Sequence, residues 1–216
     1  MHITYELTRY DRRQRIVKVV RPAQSESFVK AFLQLLYVEM SENSQAIIDI
    51  DNTSRTIVPG TSGSGKIGNL RAVHPGLSAG EDFGKAGAYA SVYADDCGIQ
   101  VGTSATAVAV ADDNLVAPVV NGTGAGQMVY YGCYGLNYTT GASSASFDME
   151  RIFRNGSGGS IVVAEIGIYV LGSVAATPNS EGDYFGFCIL RDVLGATVTI
   201  LNGEYLKVKY TITVSN

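Results

Sequence analysis

The sequence predicts a mainly β protein: an antiparallel β-sandwich or jelly-roll-like domain with one N-terminal α-helix. Two stretches indicate this fold class. Residues 147–169 and 196–214 each contain two runs with apolar residues at alternating positions, separated by an Asn-Gly turn. Asn and Gly tolerate the positive φ of a tight reversal, so each stretch is expected to form a β-hairpin. The third observation is that a single segment, residues 25–40, has helical periodicity.

The elements before these hairpins can be assigned in order. Apolar residues alternate with polar ones over residues 3–7, and residues 16–20 are mostly β-branched, so two short strands are expected. Over residues 25–40, Ser25 or Ser27 can cap a helix, and apolar residues recur at three- and four-residue spacing. So broad an apolar surface predicts burial on more than one side, against a sheet or a second subunit.

The rest of the chain is read as loops followed by strands. Residues 43–87 are rich in Gly and Pro, which predicts loops with short strands. Strands are expected again over residues 98–101, 105–110, 115–120, 127–136 and 183–191. The predicted organisation is a basic N-terminal arm or strand over residues 1–24 and a single β-sandwich domain over residues 25–216. That domain includes the helix 25–40 and the loop-rich insertion 43–87.

The charge of the chain is weak overall but uneven. Charged residues make up 17% of the sequence, below the roughly one quarter of an average domain, and the net charge is −4. General nucleic-acid binding requires a basic surface, so this composition argues against it. Six of the 16 Lys and Arg residues nevertheless fall within the first 21 positions: Arg9, Arg12, Arg13, Arg15, Lys18 and Arg21.

Three interpretations fit this basic segment. It can be a solvated strand edge or arm, an arm that docks on an acidic partner subunit, or a contact with packaged nucleic acid. The second interpretation and the apolar helix face together define the candidate partner-binding residues: Arg9, Arg12, Arg13, Arg15, Phe28, Phe32 and Leu36.

The three cysteines, Cys97, Cys133 and Cys188, are widely spaced and form no C-x-x-C pair. They are therefore expected to be buried free thiols rather than zinc ligands or a disulfide framework. No apolar run approaches the roughly 18 residues of a membrane span, and no signal-peptide pattern is present at the N-terminus. We expect a soluble protein assembled inside a cell.

Several motifs resemble catalytic or ligand-binding sequences without their expected setting. Residues 60–66 have the glycines and lysine of a phosphate-binding loop, but Ile67 stands where a magnesium-binding hydroxyl is required. Asp49 and Asp51 resemble the nucleophile motif of haloacid-dehalogenase-like phosphatases, over about eight residues and without the alternating α/β chain of that family. Asp-rich turns could hold calcium, and a tyrosine group could form a sugar-binding platform: Tyr130, Tyr131, Tyr134 and Tyr138.

The order of several segments resembles a known group of proteins. A helix over residues 27–36 precedes the stretch 98–103 and then the Gly-rich stretch 121–127. Residues 151–159 lead into 165–169, and Arg191-Asp192-Val193-Leu194 precedes the closing stretch 202–212. In this order, over residues 25–214, the chain resembles a group of poorly characterised tailed-bacteriophage virion proteins. The resemblance implies a structural role in the virion and carries over no site residue.

The predicted function is that of a phage virion structural protein that assembles as a homo-oligomer on the capsid or in the tail or baseplate. Its predicted partners are copies of itself and other virion proteins, with no small-molecule substrate, no membrane and no nucleic acid. We predict no catalytic residue, no cofactor and no metal site, and a location in the virion after assembly in the host bacterial cytoplasm. A receptor- or glycan-binding module and a haloacid-dehalogenase-like phosphatase are the alternatives.

Overall fold

The structure of the chain is a computed structural model that describes residues 2–25, 27–41, 43–59, 94–173 and 184–216. These residues form ten strands and one helix, so the predicted mainly β fold with a single helix is confirmed. The strands and the helix follow the chain in this order: β1 His2–Tyr10, β2 Ile16–Ser25, α1 Lys30–Ser41, β3 Gln45–Ile48, β4 Ser54–Ile57, β5 Gly98–Gly102, β6 Met128–Thr140, β7 Ser144–Asn155, β8 Ile161–Ser173, β9 Tyr184–Ile200 and β10 Tyr205–Ser215.

The strands form three antiparallel sheets. A five-stranded sheet has the order β2-β1-β10-β7-β6, a three-stranded sheet the order β5-β8-β9, and β3 pairs with β4. Alternate residues of β10, Leu206, Val208 and Tyr210, are fully buried, which gives the five-stranded sheet an apolar inner face. Most of β8 is buried at consecutive positions, so both faces of the three-stranded sheet are covered. One face packs on the five-stranded sheet, where Asp192 meets Tyr210, and residues 103–119 cover the other face at Arg191. The helix α1 contacts β9, and the Ile50 N–H after β3 donates to the Gly186 carbonyl of β9.

Both predicted β-hairpins are wrong in their pairing. In residues 147–169, β7 joins the five-stranded sheet and β8 joins the three-stranded sheet; β9 and β10 are divided in the same way. The Asn-Gly turns do reverse the chain. However, the two strands then belong to different sheets and contribute their apolar residues, such as Phe153 and Val163, to the common core instead of pairing through backbone hydrogen bonds. Alternating apolar residues predict that a strand has one buried face, but they do not predict which strand lies beside it in the sheet.

The predicted N-terminal arm of residues 1–24 is part of the sheet. β1 pairs with β10 over its whole length, from His2 with Thr213 to Tyr10 with Tyr205, and β2 pairs with β1. Ile3, Tyr5 and Leu7 are buried in the common core. The arm is therefore a hairpin of the domain, because its alternating apolar residues require a core to cover them.

The helix begins five residues later than predicted, at Lys30 instead of Ser25. Ser25 ends β2, and residues 27–29 run along the edge of β9. There the Val29 N–H donates to the Ile189 carbonyl at 3.2 Å, and the Arg191 N–H donates to the Ser27 carbonyl at 3.2 Å. These bonds give the edge strand a partner, and that requirement overrides helical propensity in this segment.

Residues 103–119 cover the opposite edge of the three-stranded sheet. The Val119 N–H donates to the Val101 carbonyl, and the Thr103 N–H donates to the Ala117 carbonyl, both at 2.9 Å. The strands predicted over 105–110 and 115–120 are wrong, since this stretch forms only an isolated bridge from Gly102 to Pro118. Within the predicted insertion 43–87, residues 45–57 form the β3–β4 hairpin and residues 60–87 lie outside the described residues.

A buried ion-pair network holds this covering segment in place. Arg191 is fully buried, and its Nε donates to Glu165 Oε2 at 2.8 Å while one terminal nitrogen donates to Asp112 Oδ2 at 2.8 Å. The same guanidinium donates to the carbonyls of Thr106 and Ala107. A second buried guanidinium, that of Arg151, donates to the carbonyls of residues 94, 97, 99 and 131.

Candidate functional site

Three turns meet at one end of the sandwich, which we name the arginine end. They are the β1–β2 turn (residues 11–15), the β7–β8 connection (156–160) and the β9–β10 connection (201–204). Arg12 Nε donates to the Asn202 carbonyl at 2.9 Å, and the Gly158 N–H donates to Asn202 Oδ1 at 3.1 Å. Two sequence stretches nearly 190 residues apart therefore share one surface.

The buried Asn155 fixes two of these turns relative to each other. Its amide nitrogen donates to the carbonyls of Gly159 and Ile200, each at 2.8 Å, and its backbone N–H donates to the Glu204 carbonyl at 2.9 Å. Because an unpaired amide would be costly at a fully buried position, this side chain specifies the geometry of the end.

The β1–β2 turn is shaped by a single carboxylate. Asp11 accepts hydrogen bonds from the backbone N–H groups of Arg13 and Arg15, at 2.8 and 2.9 Å. The pKa of Asp11 is lowered because the backbone N–H and the guanidinium of Arg15 both donate to the carboxylate, and Arg13 adds a further backbone bond. Local chemistry within five residues therefore explains why the turn presents its arginines together.

Two of the four predicted arginines use their charge within the chain. Arg9 Nε lies 3.1 Å from Glu204 Oε2, and a terminal nitrogen of Arg9 donates to the Thr199 carbonyl at 3.0 Å. Arg15 pairs with Asp11 at 2.6 Å. These two side chains help to hold the turns of the arginine end together. The positive charge that is not used within the chain therefore comes from the remaining arginines.

The arginines with spare donors are Arg12, Arg13 and Arg154. Arg12 uses only its Nε, and the side chains of Arg13 and Arg154 form no hydrogen bond or ion pair with the described part of the chain. Arg12 separates two grooves of about 350 and 370 Å³. The first groove is also lined by Asp11, Arg13, Arg15, Leu201 and Glu204, and the second by Arg154, Gly156, Asn202, Gly203 and Tyr205.

Sequence reasoning missed Arg154, which lies 142 positions after Arg12. One signal was present: Arg154 directly precedes the Asn155-Gly156 turn, so it had to lie at a strand end. No sequence pattern indicated that this end adjoins the β1–β2 turn. That proximity follows from the order of strands in the five-stranded sheet, in which β10 separates β1 from β7.

The predicted apolar candidates, Phe32 and Leu36 on α1 and Phe28 just before it, lie mainly against the chain's own core. Phe28 and Phe32 stack with ring centroids 4.3 Å apart and pack against the core, and Leu36 is half-buried. The outward side of the helix is also apolar: Leu33 is 65% exposed, Tyr37 49% and Met40 78%. These three residues lie at i, i+4 and i+7, so they form one stripe, which we name the outer helix stripe.

Asp49 performs a structural task in this fold. Its carboxylate accepts from the backbone N–H groups of Asp51 and Thr53, at 3.0 and 2.8 Å, and pairs with Arg55 Nε at 2.6 Å. The carboxylate thereby caps the β3–β4 turn, and the sheets around it are not the alternating α/β arrangement of the phosphatase family. The motif over residues 60–66 lies outside the described residues.

The other predicted ligand groups are divided among different environments. Tyr130 and Tyr134 are buried, whereas Tyr138 is 73% exposed, so the four tyrosines of β6 do not share one exposed platform. No group of three or more His, Cys, Asp or Glu side chains with metal-binding geometry occurs among the described residues. Cys97, Cys133 and Cys188 are free and buried, as expected, and burial raises the pKa of the Cys97 thiol to about 12.

No family model matches this chain, and comparison with the curated proteins and with the solved structures returns no significant match. None of the helices in the described ranges has the length and apolar character that crossing a membrane requires.

Proposed function

We propose that the protein is a structural subunit that assembles with copies of itself through the outer helix stripe. The observation that carries this proposal is the exposure of Leu33, Tyr37 and Met40 on a helix whose opposite side is already buried. A surface helix normally turns charged residues to solvent, whereas this stripe has none. Three adjacent exposed apolar side chains are typical of a contact surface.

A second copy is the partner that fits this stripe best. The helix carries only two charged residues, Lys30 and Glu39, so two copies can meet around a two-fold axis without facing like charges over most of the contact. A stable interface buries roughly 800 Å² per partner, more than three side chains supply. Val110, which is 71% exposed and whose carbonyl accepts from the Lys30 N–H at the start of the helix, extends the same surface.

The virion is the setting we propose for this assembly, on the capsid or in the tail or baseplate. The order of sequence segments supports it, since it resembles that of tailed-phage virion proteins. Three of the edge strands, β2, β5 and β9, support assembly through faces rather than edges. The free edges of β9 and β5 are covered by residues 27–29 and 103–119. The pairing of β2 with β1 has two irregularities, and β2 also contains Lys18 and Pro22; all of these features discourage edge-to-edge addition.

Light scattering after size-exclusion chromatography tests the proposal. We expect the wild-type chain to be oligomeric and the double variant Leu33→Gln/Met40→Gln to be monomeric with an unchanged thermal transition. Val162→Gln, which changes a 44% exposed apolar residue of β8, is the matched control and should remain oligomeric. A wild-type chain that is monomeric at every concentration would contradict assembly through this stripe. Absence of the protein from phage particles that are purified after lysis of the host cells would contradict the virion setting.

A further inference from the structure

The second groove of the arginine end has the composition of a carboxylate-binding site. We propose that the groove between Arg12 and Arg154 binds acidic side chains of a partner protein segment. The two guanidinium groups come from different turns and line a space of about 370 Å³. Among the described residues that line it, none is acidic; the others are Gly156, Asn202, Gly203 and Tyr205.

Arg12 is held in place without losing its capacity to bind. Its Nε donates to the Asn202 carbonyl, which leaves both terminal nitrogens, with four N–H groups, free of described partners. Gly203 leaves room for the Arg12 side chain in this position, because a Cβ at residue 203 would lie 2.8 Å from Arg12 Nε. Its φ of +84° also favours glycine there. A guanidinium fixed through one nitrogen is preorganised for a bidentate contact with a carboxylate.

The acids near the arginine end do not compete for this groove. Asp11 is paired with Arg15 at 2.6 Å, and Glu204 lies 3.1 Å from Arg9 Nε. Both carboxylates line the first groove rather than the second. The positive charge of Arg12 and Arg154 is therefore available to an external ligand.

An acidic protein segment fits these charges better than a nucleic acid does. Among the described residues of this end, only Arg12, Arg13 and Arg154 carry unpaired charge, whereas nucleic-acid binders neutralise phosphates along a longer path. The groove is separate from the outer helix stripe, so this inference does not depend on the proposed self-assembly.

Fluorescence polarisation with a labelled hexaglutamate peptide tests the inference. We expect binding at low ionic strength, no binding of labelled hexaglutamine, and weaker binding of an oligothymidylate of equal charge. Arg12→Gln and Arg154→Gln should each weaken hexaglutamate binding by about tenfold, the loss of one charge-assisted hydrogen-bond pair. Arg13→Gln removes the same charge outside the groove and should weaken binding less than about threefold, because Arg13 does not line the groove and makes no direct contact with the peptide.

Three results would overturn the inference. They are the absence of hexaglutamate binding, an equal loss in all three variants, and tighter binding of the oligothymidylate. Arg154 is exposed and unpaired, so its variant reports on binding even if Arg12→Gln disturbs the turn. Unchanged thermal transitions in the variants confirm that folding is intact.

Discussion

Arg191 and Asp192 are consecutive in β9 and both are buried, yet they face opposite sides of the three-stranded sheet. Arg191 lies on the side covered by residues 103–119, where it pairs with Glu165 and Asp112 at 2.8 Å. Asp192 lies on the side of the five-stranded sheet and accepts a hydrogen bond from the buried Tyr210 hydroxyl at 3.0 Å. One buried charge has ionic partners and the other has a hydroxyl partner.

The difference shows two ways of burying a charge. Glu165 also accepts from the backbone N–H groups of Val116 and Ala117, so Arg191 joins irregular backbone to the sheet through charge-assisted bonds. On the inner side, burial raises the pKa of Asp192, and hydroxyl hydrogen bonds, that of Tyr210 among them, offset this only in part. The covering segment depends on ion pairs because, of its apolar side chains, only Leu115 and Val119 are buried, whereas Val110 and Val116 are exposed.

The largest effect is expected for Arg191→Met. Removing one partner leaves the buried carboxylate of Glu165 and the half-buried one of Asp112 uncompensated, which should lower the free energy of unfolding by about 3–5 kcal/mol. Urea denaturation measures the loss. Arg191→Lys keeps the positive charge but not the planar guanidinium group, so its free energy of unfolding should fall by less. A decrease under about 1 kcal/mol for Arg191→Met would contradict the role of the network.

A smaller effect is expected where the covering segment approaches the sheet most closely. A Cβ at Gly102 would lie 2.5 Å from Glu165 Oε1 and 2.8 Å from the Ala117 carbonyl. Gly102→Ala should therefore lower the free energy of unfolding, measured by denaturant titration, by about 1–3 kcal/mol, because neither neighbour can move without breaking a hydrogen bond. Gly195→Ala is the control, since no atom lies within 4 Å of its Cβ position; an equal cost for both would refute the steric explanation.

The smallest effect concerns pH and Asp192. Its folded pKa is above the unfolded value near 3.8, so the stability that it contributes is fully present below that value and is lost as the pH rises through the folded pKa. Asp192→Asn keeps an acceptor for Tyr210 without the charge. We expect the variant to be the more stable protein at neutral pH, with the advantage vanishing at low pH. Thermal unfolding across that range measures it, and an advantage independent of pH would contradict the assignment.

The candidate sites were predictable only where they depend on local sequence. The Arg12–Arg13 turn follows from Asp11, which caps it, and the apolar helix follows from its periodicity. Arg154 was not predictable as a neighbour of Arg12, because no local pattern reports which strands become adjacent. The same holds for the partners of Arg191, which lie 26 and 79 positions away.

The sequence alone determined that this chain is mainly β with one helix, where most strands and turns lie, and that its cysteines are buried thiols. Alternation, turn chemistry and composition are local properties, and local energies suffice to express them. Only the tertiary structure decided which strands pair, that the two Asn-Gly reversals connect different sheets, and which arginines keep free donors. Those outcomes depend on how apolar faces and buried charges are satisfied by residues far apart in the chain, which no short window of sequence contains.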